Sequence, residues 1–177
     1  MGRMAGALRT AVFVREQGVP PELEMDVLDP LCLHVLALAA DGQAVATGRL
    51  VTEAPGIARI GRMAVRQSVR GQGVGRLVLH VLLNAAQQRG DHEAVLSAQL
   101  HAQGFYTQAG FVAEGDVYDD AGIPKSPCAK KCPLRTCSCS PMKVWGIRFG
   151  IGCEAQNTAI AWPLRGFSTT PTPRSRP

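Results

Sequence analysis

The stretch Arg70-Gly71-Gln72-Gly73-Val74-Gly75 lies between an apolar, strand-like run and an amphipathic helix. Its three glycines let the main chain turn tightly and approach a ligand closely, because glycine has no Cβ atom. The stretch leads into residues 73–89, where apolar side chains recur at helical spacing. The free N–H groups and the positive dipole end of a helix N-terminus attract anions. The sequence therefore predicts a loop that binds a diphosphate-bearing cofactor.

The segments around this loop predict an α/β structure. Helices are predicted at residues 5–17, Gly73–Arg89 and His101–Ala109, and strands at Leu33–Ala40, Gln43–Thr52, Ile57–Val65, Ala94–Ala98 and Phe111–Tyr118. Asp41-Gly42 is a strong hairpin dipeptide, so the first strands are expected to be antiparallel. The helix after the glycine loop then allows a parallel step in the sheet.

Charge divides the chain into two parts. Apolar residues make up 46% of the sequence, which indicates a folded protein, and the net charge is +5. Beyond residue 124 there are nine Lys or Arg and one acid, so residues 1–124 carry a net charge of −3. The positive net charge comes from the residues after 124, so it gives no support to nucleic-acid binding by residues 1–124. Without a long apolar run or a signal peptide, we expect a cytoplasmic protein with no membrane partner.

The six cysteines do not predict a metal site. Five follow residue 124, at Cys128, Cys132, Cys137, Cys139 and Cys153, and Cys32 lies in a predicted strand. Zinc sites usually show paired C-x(2–4)-C knuckles joined by a longer loop, which this spacing matches poorly. We therefore expect free thiols and no bound metal.

Three kinds of phosphate ligand compete for the loop. A P-loop needs Gly-Lys-Ser/Thr, but Gly75 is followed by Arg76-Leu77, which excludes it. A dinucleotide site requires G-x-G-x-x-G directly after a strand. Here residues 66–69 separate the strand from the loop, and Arg76 replaces the last glycine. Glu93 lies about 20 residues further along the chain, where a dinucleotide site has the acid that binds the ribose, so this weaker alternative stays open. The third ligand is an acyl-CoA.

At this point the sequence resembles the GNAT superfamily of N-acetyltransferases. Arg70–Gly75 fits the R/Q-x-x-G-x-G/A signature, Arg59–Val65 looks like the central strand, and Phe105–Phe111 looks like the Y-x-x-x-G-F pattern of the fourth helix. More narrowly, Ala11–Pro20, Leu96–Gln99 and Ala121–Pro124 resemble the ElaA-like branch. The likeness covers about residues 7–124.

The resemblance implies a mixed, mostly antiparallel sheet flanked by helices, in a domain of residues 1–124. Family members open with a strand before the first helix, and here only residues 1–6 precede it. They close with a strand after Gly-Ile-Pro-His, but Lys125 replaces that His and residues 126–133 do not read as a strand. We therefore expect a missing first strand, a disrupted last strand and an atypical, partly disordered tail at 125–177. Residues 144–151 are a candidate substitute for the last strand.

The resemblance also implies a cofactor site and a proton donor. By this resemblance, the loop binds the diphosphate of acetyl-CoA and the central strand binds its pantetheine. The fourth helix carries the proton donor. The residues so implied are Arg70, Gly71, Gln72, Gly73, Val74 and Gly75 with Arg76 adjoining for the diphosphate; Met63, Ala64, Val65 and Gln99 for the pantetheine; and Tyr106 as the acid. A tyrosine with a reference pKa of about 10 can protonate a departing thiolate. The alternative role of Tyr106 is packing.

The chemistry of acetyl transfer also needs a neutral amine. Glu16, Glu24 and His34 are candidate bases, and a water chain is an alternative, while His101 reads as a helix-start residue. Two functions remain. One is an N-acetyltransferase that moves acetyl from acetyl-CoA to a primary amine of a small molecule or protein within a ternary complex. The other is a truncated, catalytically impaired fold that acts as an interaction protein. The acidic residues 22–29 favour a cationic acceptor, and a homodimer is plausible by resemblance.

Overall fold

The computed structural model describes residues 2–24, 27 and 29–131, together with the main chain of residues 148–152 and 160–161. The α-helices are α1 (Gly2–Arg9), α2 (Pro21–Glu24), α3 (Val74–Arg89) and α4 (Gln103–Gln108), with a π-helical stretch at Thr10–Glu16 and 3-10 turns at Asp29–Leu31, Gln67–Val69 and Leu100–Ala102. The strands are β1 (Leu33–Leu38), β2 (Ala44–Ala54), β3 (Ile57–Val65), β4 (Glu93–Gln99), β5 (Val112–Ala113), β6 (Tyr118–Asp120), β7 (Ile123–Lys131), β8 (Arg148–Gly152) and β9 (Ile160–Ala161).

The described strands form one mixed sheet in the order β5-β7-β4-β3-β2-β1-β8-β9, with β6 also paired to β7. Only the β3–β4 pair is parallel among them. That pair is joined through α3, as the glycine loop and its helix predict. The predicted fold class, a mostly antiparallel sheet flanked by helices, is confirmed.

Strands β3 and β4 separate part of the way along. Their ladder pairs Ile57–Arg59 with Glu93–Val95 and ends there. Just beyond this point β3 contains a bulge, because Arg49 pairs with Gly61 while Thr47 pairs with Ala64. Arg62 within the bulge has a φ of 52°, which is uncommon for a residue with a side chain. The second halves of the two strands thus leave an opening in the sheet.

Helix α3 covers one face of the sheet and the first helical segment covers the other. The α3 side chains that face the sheet are fully buried, namely Val74, Val78, Leu79, Leu82, Leu83 and Ala86. Gly48 of β2 allows this approach, because a Cβ there would lie 2.7 Å from Cδ1 of Leu82. On the opposite face, α1 and the π-helical stretch bury Leu8 and Val12 against Leu36. Alternate strand residues thus point to two separate cores.

Two of the predicted strand assignments are wrong. Residues 125–131 form a strand with Ile123 and Pro124, and β7 pairs with β4 over seven positions. The last strand is therefore formed rather than disrupted, because pairing with β4 buries Ser126, Cys128 and Ala129. The predicted strand Phe111–Tyr118 is instead split into β5 and β6, with Gly115 at a φ of 89° between them.

The predicted tail needs a matching correction. Its boundary at residue 124 falls inside β7, so residues 125–131 belong to the sheet. Arg148–Gly152 pairs with β1, on the other side of the sheet from β7, so residues 148–151, the described part of the candidate substitute at 144–151, do not replace the last strand. The predictions for Cys132, Cys137, Cys139 and Cys153, and for disorder near the C-terminus, fall outside the described residues.

Candidate active site

A cleft of about 630 Å³ lies where β3 and β4 separate. Its walls come from the π-helical stretch and α2, the second half of β3, the end of β4, α4 and the hairpin of β6 and β7. The predicted site residues on its walls are Met63, Ala64, Val65, Arg70, Gly75, Gln99 and Tyr106. Gly71, Gln72, Gly73, Val74 and Arg76 lie beside it, in the loop and first turn of α3. The structure thus brings the predicted residues to one place.

The glycine loop has the backbone conformation that its composition predicts. Gly71 and Gly73 have φ values of 77° and 82°, in the left-handed region that strains residues with a Cβ atom. Gly73 precedes the first residue of α3, and Val74 is buried and anchors that turn. A Cβ at Gly75 would lie 3.3 Å from Cγ2 of Val65, so the loop packs closely on the end of β3. These features place a tight bend and a helix N-terminus beside the cleft, which Arg70 and Gly75 line.

The side chain of Arg70 contacts the first helical segment. Its Nη1 and Nη2 donate to the Glu16 carboxylate at 2.5 and 2.8 Å, and its Nε donates to the carbonyl of Val65 at 3.0 Å. Hydrogen bonding from Arg70 lowers the pKa of Glu16 below its usual value. A carboxylate held in this way is a poor proton acceptor, which weakens Glu16 as the base. Arg76 donates to Oε1 of Gln108 at 3.2 Å.

Tyr106 lies in an aromatic setting on α4. Its ring meets Phe105 and Phe111 edge to face, with centroid distances of 4.9 and 6.0 Å. Burial, with a smaller contribution from nearby Cys128, raises the pKa of Tyr106 to about 12. The hydroxyl group therefore stays protonated at neutral pH, as a proton donor must.

The ends of β3 and β4 present polar groups along the cleft. Met63, Ala64 and Val65 lie beyond the last residues that β3 pairs with β4. At the end of β4, Nε2 of Gln99 donates to Oε1 of Gln17 at 3.0 Å. The β3 main chain and the Gln99 amide are thus placed where an extended ligand with amide groups would run.

A buried ionic network stands behind the cleft, and the sequence did not reveal it. Arg9 donates to Glu24 through Nε and to both oxygens of Asp29, at 2.9 and 2.7 Å. Asp29 also accepts from Arg49 at 2.6 Å. Arg62 of the β3 bulge approaches Oε2 of Glu24 at 3.4 Å. This network joins α1 and α2 to the sheet next to the cleft.

The network changes the interpretation of the acidic residues and bases. Glu24 and Asp29 are neutralised by arginines, so they do not form a free anionic surface, and Asp26 lies outside the described residues. Glu24 lines the cleft, whereas His34 does not, because its Nε2 donates to the carbonyl of Asp29 at 2.8 Å. Of the three predicted bases, Glu16 and Glu24 line the cleft, and arginines hold both carboxylates, which weakens each as a proton acceptor.

The β6–β7 hairpin forms another part of the cleft wall. Lys125 pairs with Asp120, and both line the cleft. The hydroxyl group of Tyr118 donates to Oγ of Ser97 at 2.6 Å. Only the Gly-Ile-Pro resemblance pointed to this hairpin in the sequence. It adds polar side chains to the wall of the cleft.

The described residues show neither a membrane-spanning helix nor a metal cluster. Every helix in the described part of the chain is too short or too polar to cross a bilayer. Within the same part, no three His, Cys, Asp or Glu side chains converge as metal ligands would. Cys32 and Cys128 are buried, and neither forms a disulfide bond within the described residues.

Comparisons with known proteins agree with this geometry. Residues 12–132 match a family model described as Acetyltransferase (GNAT) domain. A solved acyl-CoA N-acyltransferase from Pseudomonas aeruginosa is 37% identical, covers 72% of this chain and 88% of its own, and has a TM-score of 0.66. ElaA from Escherichia coli is 30% identical over 73% of this chain and 88% of its own, also at 0.66. The uncharacterized N-acetyltransferase YjcF of Bacillus subtilis is 36% identical, covering 66% of this chain and 83% of that protein.

Proposed function

Because the chain belongs to the GNAT acetyltransferase family, we propose that it transfers the acetyl group of acetyl-CoA to a primary amine of a small molecule or a protein. The single observation that carries this proposal is the cleft between β3 and β4, with the glycine loop at one end and Tyr106 on its wall. A relative named as an acyl-CoA N-acyltransferase supports an acyl-CoA as the co-substrate, and the acetyltransferase family supports the acetyl group.

In this proposal the loop from Arg70 to Gly75, with Arg76 adjoining, binds the diphosphate through main-chain amides. The positive φ values of Gly71 and Gly73 support this role, because they let consecutive N–H groups converge on an anion. Met63, Ala64 and Val65 pair with the pantetheine through their main chain, and Gln99 binds one of its amides.

The amine then attacks the thioester carbon directly within a ternary complex. The new C–N bond forms as the C–S bond breaks, and Tyr106 gives its proton to the departing thiolate of CoA. The main-chain N–H near Val65 polarises the thioester carbonyl. The amine loses its own proton to a chain of water molecules, because arginines hold the carboxylates of both Glu16 and Glu24.

The proposed partners are therefore acetyl-CoA and the amine acceptor. A cytoplasmic location and a homodimer stay predictions from the sequence. The alternative, an impaired fold that acts only as an interaction protein, rests on a missing first strand and a disrupted last strand. Strand β7 is formed, which removes the second ground, whereas the described elements before β1 are all helical.

The test is a panel of amines assayed for free thiol released from acetyl-CoA. We expect at least one amine to raise thiol release well above the rate without acceptor, with a matching acetylated product by mass spectrometry. Thiol release that no amine increases would contradict the proposal.

A further inference from the structure

The ion pair between Glu16 and Arg70 joins the two sides of the cleft at its loop end. Glu16 ends the π-helical stretch, and Arg70 begins the glycine loop. Both residues line the cleft, and their side chains are about one third exposed, at 36% and 40%. The contact therefore links the first helical segment to the loop across a gap of 54 residues in the sequence.

The contacts of Arg70 use two sides of its guanidinium group. Nη1 and Nη2 form a bidentate pair with Glu16, and Nε donates to the carbonyl of Val65. Bidentate pairing of arginine with a carboxylate is geometrically specific and stronger than a neutral hydrogen bond. A diphosphate would compete with Glu16 for the same N–H groups. The guanidinium group is thus placed to hold protein rather than cofactor.

We infer that Arg70 is a positioning residue, which acts through Glu16 to fix the loop, and that its side chain is not a phosphate ligand. The inference deepens the proposed function and rests on diphosphate binding by the loop amides. The Arg70 side chain ties the start of the loop to the helical segment and to the last residue of β3. The pair stays intact when acetyl-CoA binds.

The ion pair is expected to affect affinity because it holds the loop in one conformation before acetyl-CoA binds. An exposed ion pair adds little to the stability of a whole domain. A loop with two positive-φ glycines, however, loses much conformational freedom when it takes a single shape. A contact that holds this shape before binding reduces that entropic cost and raises affinity.

Two single variants and their double variant separate this role from direct phosphate binding. If Arg70 positions the loop, Glu16→Ala and Arg70→Ala each weaken acetyl-CoA binding by about three- to five-fold, as expected for an exposed pair, and the double variant is no weaker than either. If Arg70 binds phosphate instead, Glu16→Ala frees the guanidinium group and tightens binding. The two roles thus predict opposite signs for one substitution.

A second ion pair supplies the matched control. Glu53 and Arg59 form a bidentate contact at 2.5 and 2.7 Å, and their side chains are 41% and 42% exposed, close to the values for Glu16 and Arg70. Neither residue lines the cleft. Glu53→Ala should therefore leave acetyl-CoA affinity unchanged, while its effect on thermal unfolding should match that of Glu16→Ala.

The experiment is calorimetric titration of each full-length variant with acetyl-CoA at about 0.5 M salt, where the screening length falls to roughly 4 Å and long-range charge effects are small. Non-additive weakening in both single variants supports the inference. Tighter binding by Glu16→Ala, or additive losses in the double variant, overturns it while the proposed cofactor site stands. If the unmodified protein binds no acetyl-CoA at all, the proposed function fails and the inference fails with it.

Discussion

The rings of Tyr106 and Phe111 lie edge to face with their centroids 6.0 Å apart, so the aromatic surroundings of the proposed acid do not depend on its hydroxyl group. Replacing Tyr106 with Phe should therefore preserve packing and remove only the proton donor. We expect the turnover number to fall by about 10²- to 10⁴-fold, the usual contribution of a general acid. Acetyl-CoA affinity, measured by calorimetry, should stay within about two-fold because packing is retained. Turnover equal to that of the unmodified protein would assign Tyr106 to packing alone.

The raised pKa of Tyr106 predicts the behaviour of the enzyme in alkali. Its value of about 12 exceeds the ordinary value of 10.0, so the acid stays protonated and the turnover number should show no decline from this group up to pH 10. Because the protonated form is favoured in the folded state, the stability that this group contributes is complete below pH 10 and is lost between pH 10 and about 12. Turnover profiles and urea unfolding at matched pH values measure the two effects. The Tyr106→Phe variant has no hydroxyl proton to lose. Its stability should therefore not show the decrease that this group causes between pH 10 and about 12.

Gln99 should contribute one hydrogen bond to the pantetheine. Its contact with Gln17 holds the amide at the end of β4, so little reorganisation is needed when the cofactor arrives. Gln99→Leu should weaken acetyl-CoA binding by about five-fold, which corresponds to one hydrogen bond of about 1 kcal/mol. The readout is calorimetry, with Gln87→Leu on α3 as a control outside the cleft. Equal affinity of Gln99→Leu and the unmodified protein would remove Gln99 from the site.

Asp29 should be important for stability and not for chemistry. Burial disfavours its charge, but hydrogen bonds from Arg9 and Arg49 outweigh this and lower the pKa of Asp29 from 3.8 to about 2. The stability that it contributes is therefore present above pH 4 and is lost as the pH falls toward about 2. Asp29→Asn leaves two buried arginines with a weaker partner and should cost about 3 kcal/mol in urea unfolding at pH 7.

The control for this prediction is Asp116→Asn, a change at an exposed position. It should alter the free energy of unfolding by less than about 0.5 kcal/mol. A similar small change for Asp29→Asn would show that the network of Arg9, Glu24 and Asp29 is not a stabilising unit.

The parts of the fold with strong local signals could be predicted from the sequence. The helix expected at Gly73–Arg89 is Val74–Arg89 with left-handed glycines at both ends, because glycine placement and helical apolar spacing agree there. The hairpin predicted at Asp41-Gly42 is also confirmed, with Gly42 at a φ of 84° in the turn between β1 and β2. Strand β7 was missed because Ser126-Pro127-Cys128 has weak strand propensity on its own. Its conformation comes from pairing with β4, which only the folded chain supplies.

The candidate site also contains residues that the sequence predicts and residues that it does not. The loop, the β3 positions and Tyr106 follow from a motif with fixed spacing, and the structure places them around one cleft, although their roles in binding and catalysis stay proposals. The partners of Arg70 and Arg9 could not be predicted, since each pairs with a residue at least 15 positions away. The bulge at Arg62 has no sequence signal either, because a positive φ is uncommon for arginine.

The proposed function requires that main-chain amides of the glycine loop bind the diphosphate of acetyl-CoA. The most direct test is a titration of ¹⁵N-labelled protein with CoA, followed by two-dimensional NMR of the glycine amides. We predict that Gly71, Gly73 and Gly75 show the largest chemical-shift changes and that the hairpin glycines Gly42 and Gly56 do not move. Binding of CoA with unchanged Gly71, Gly73 and Gly75 signals would contradict the claim.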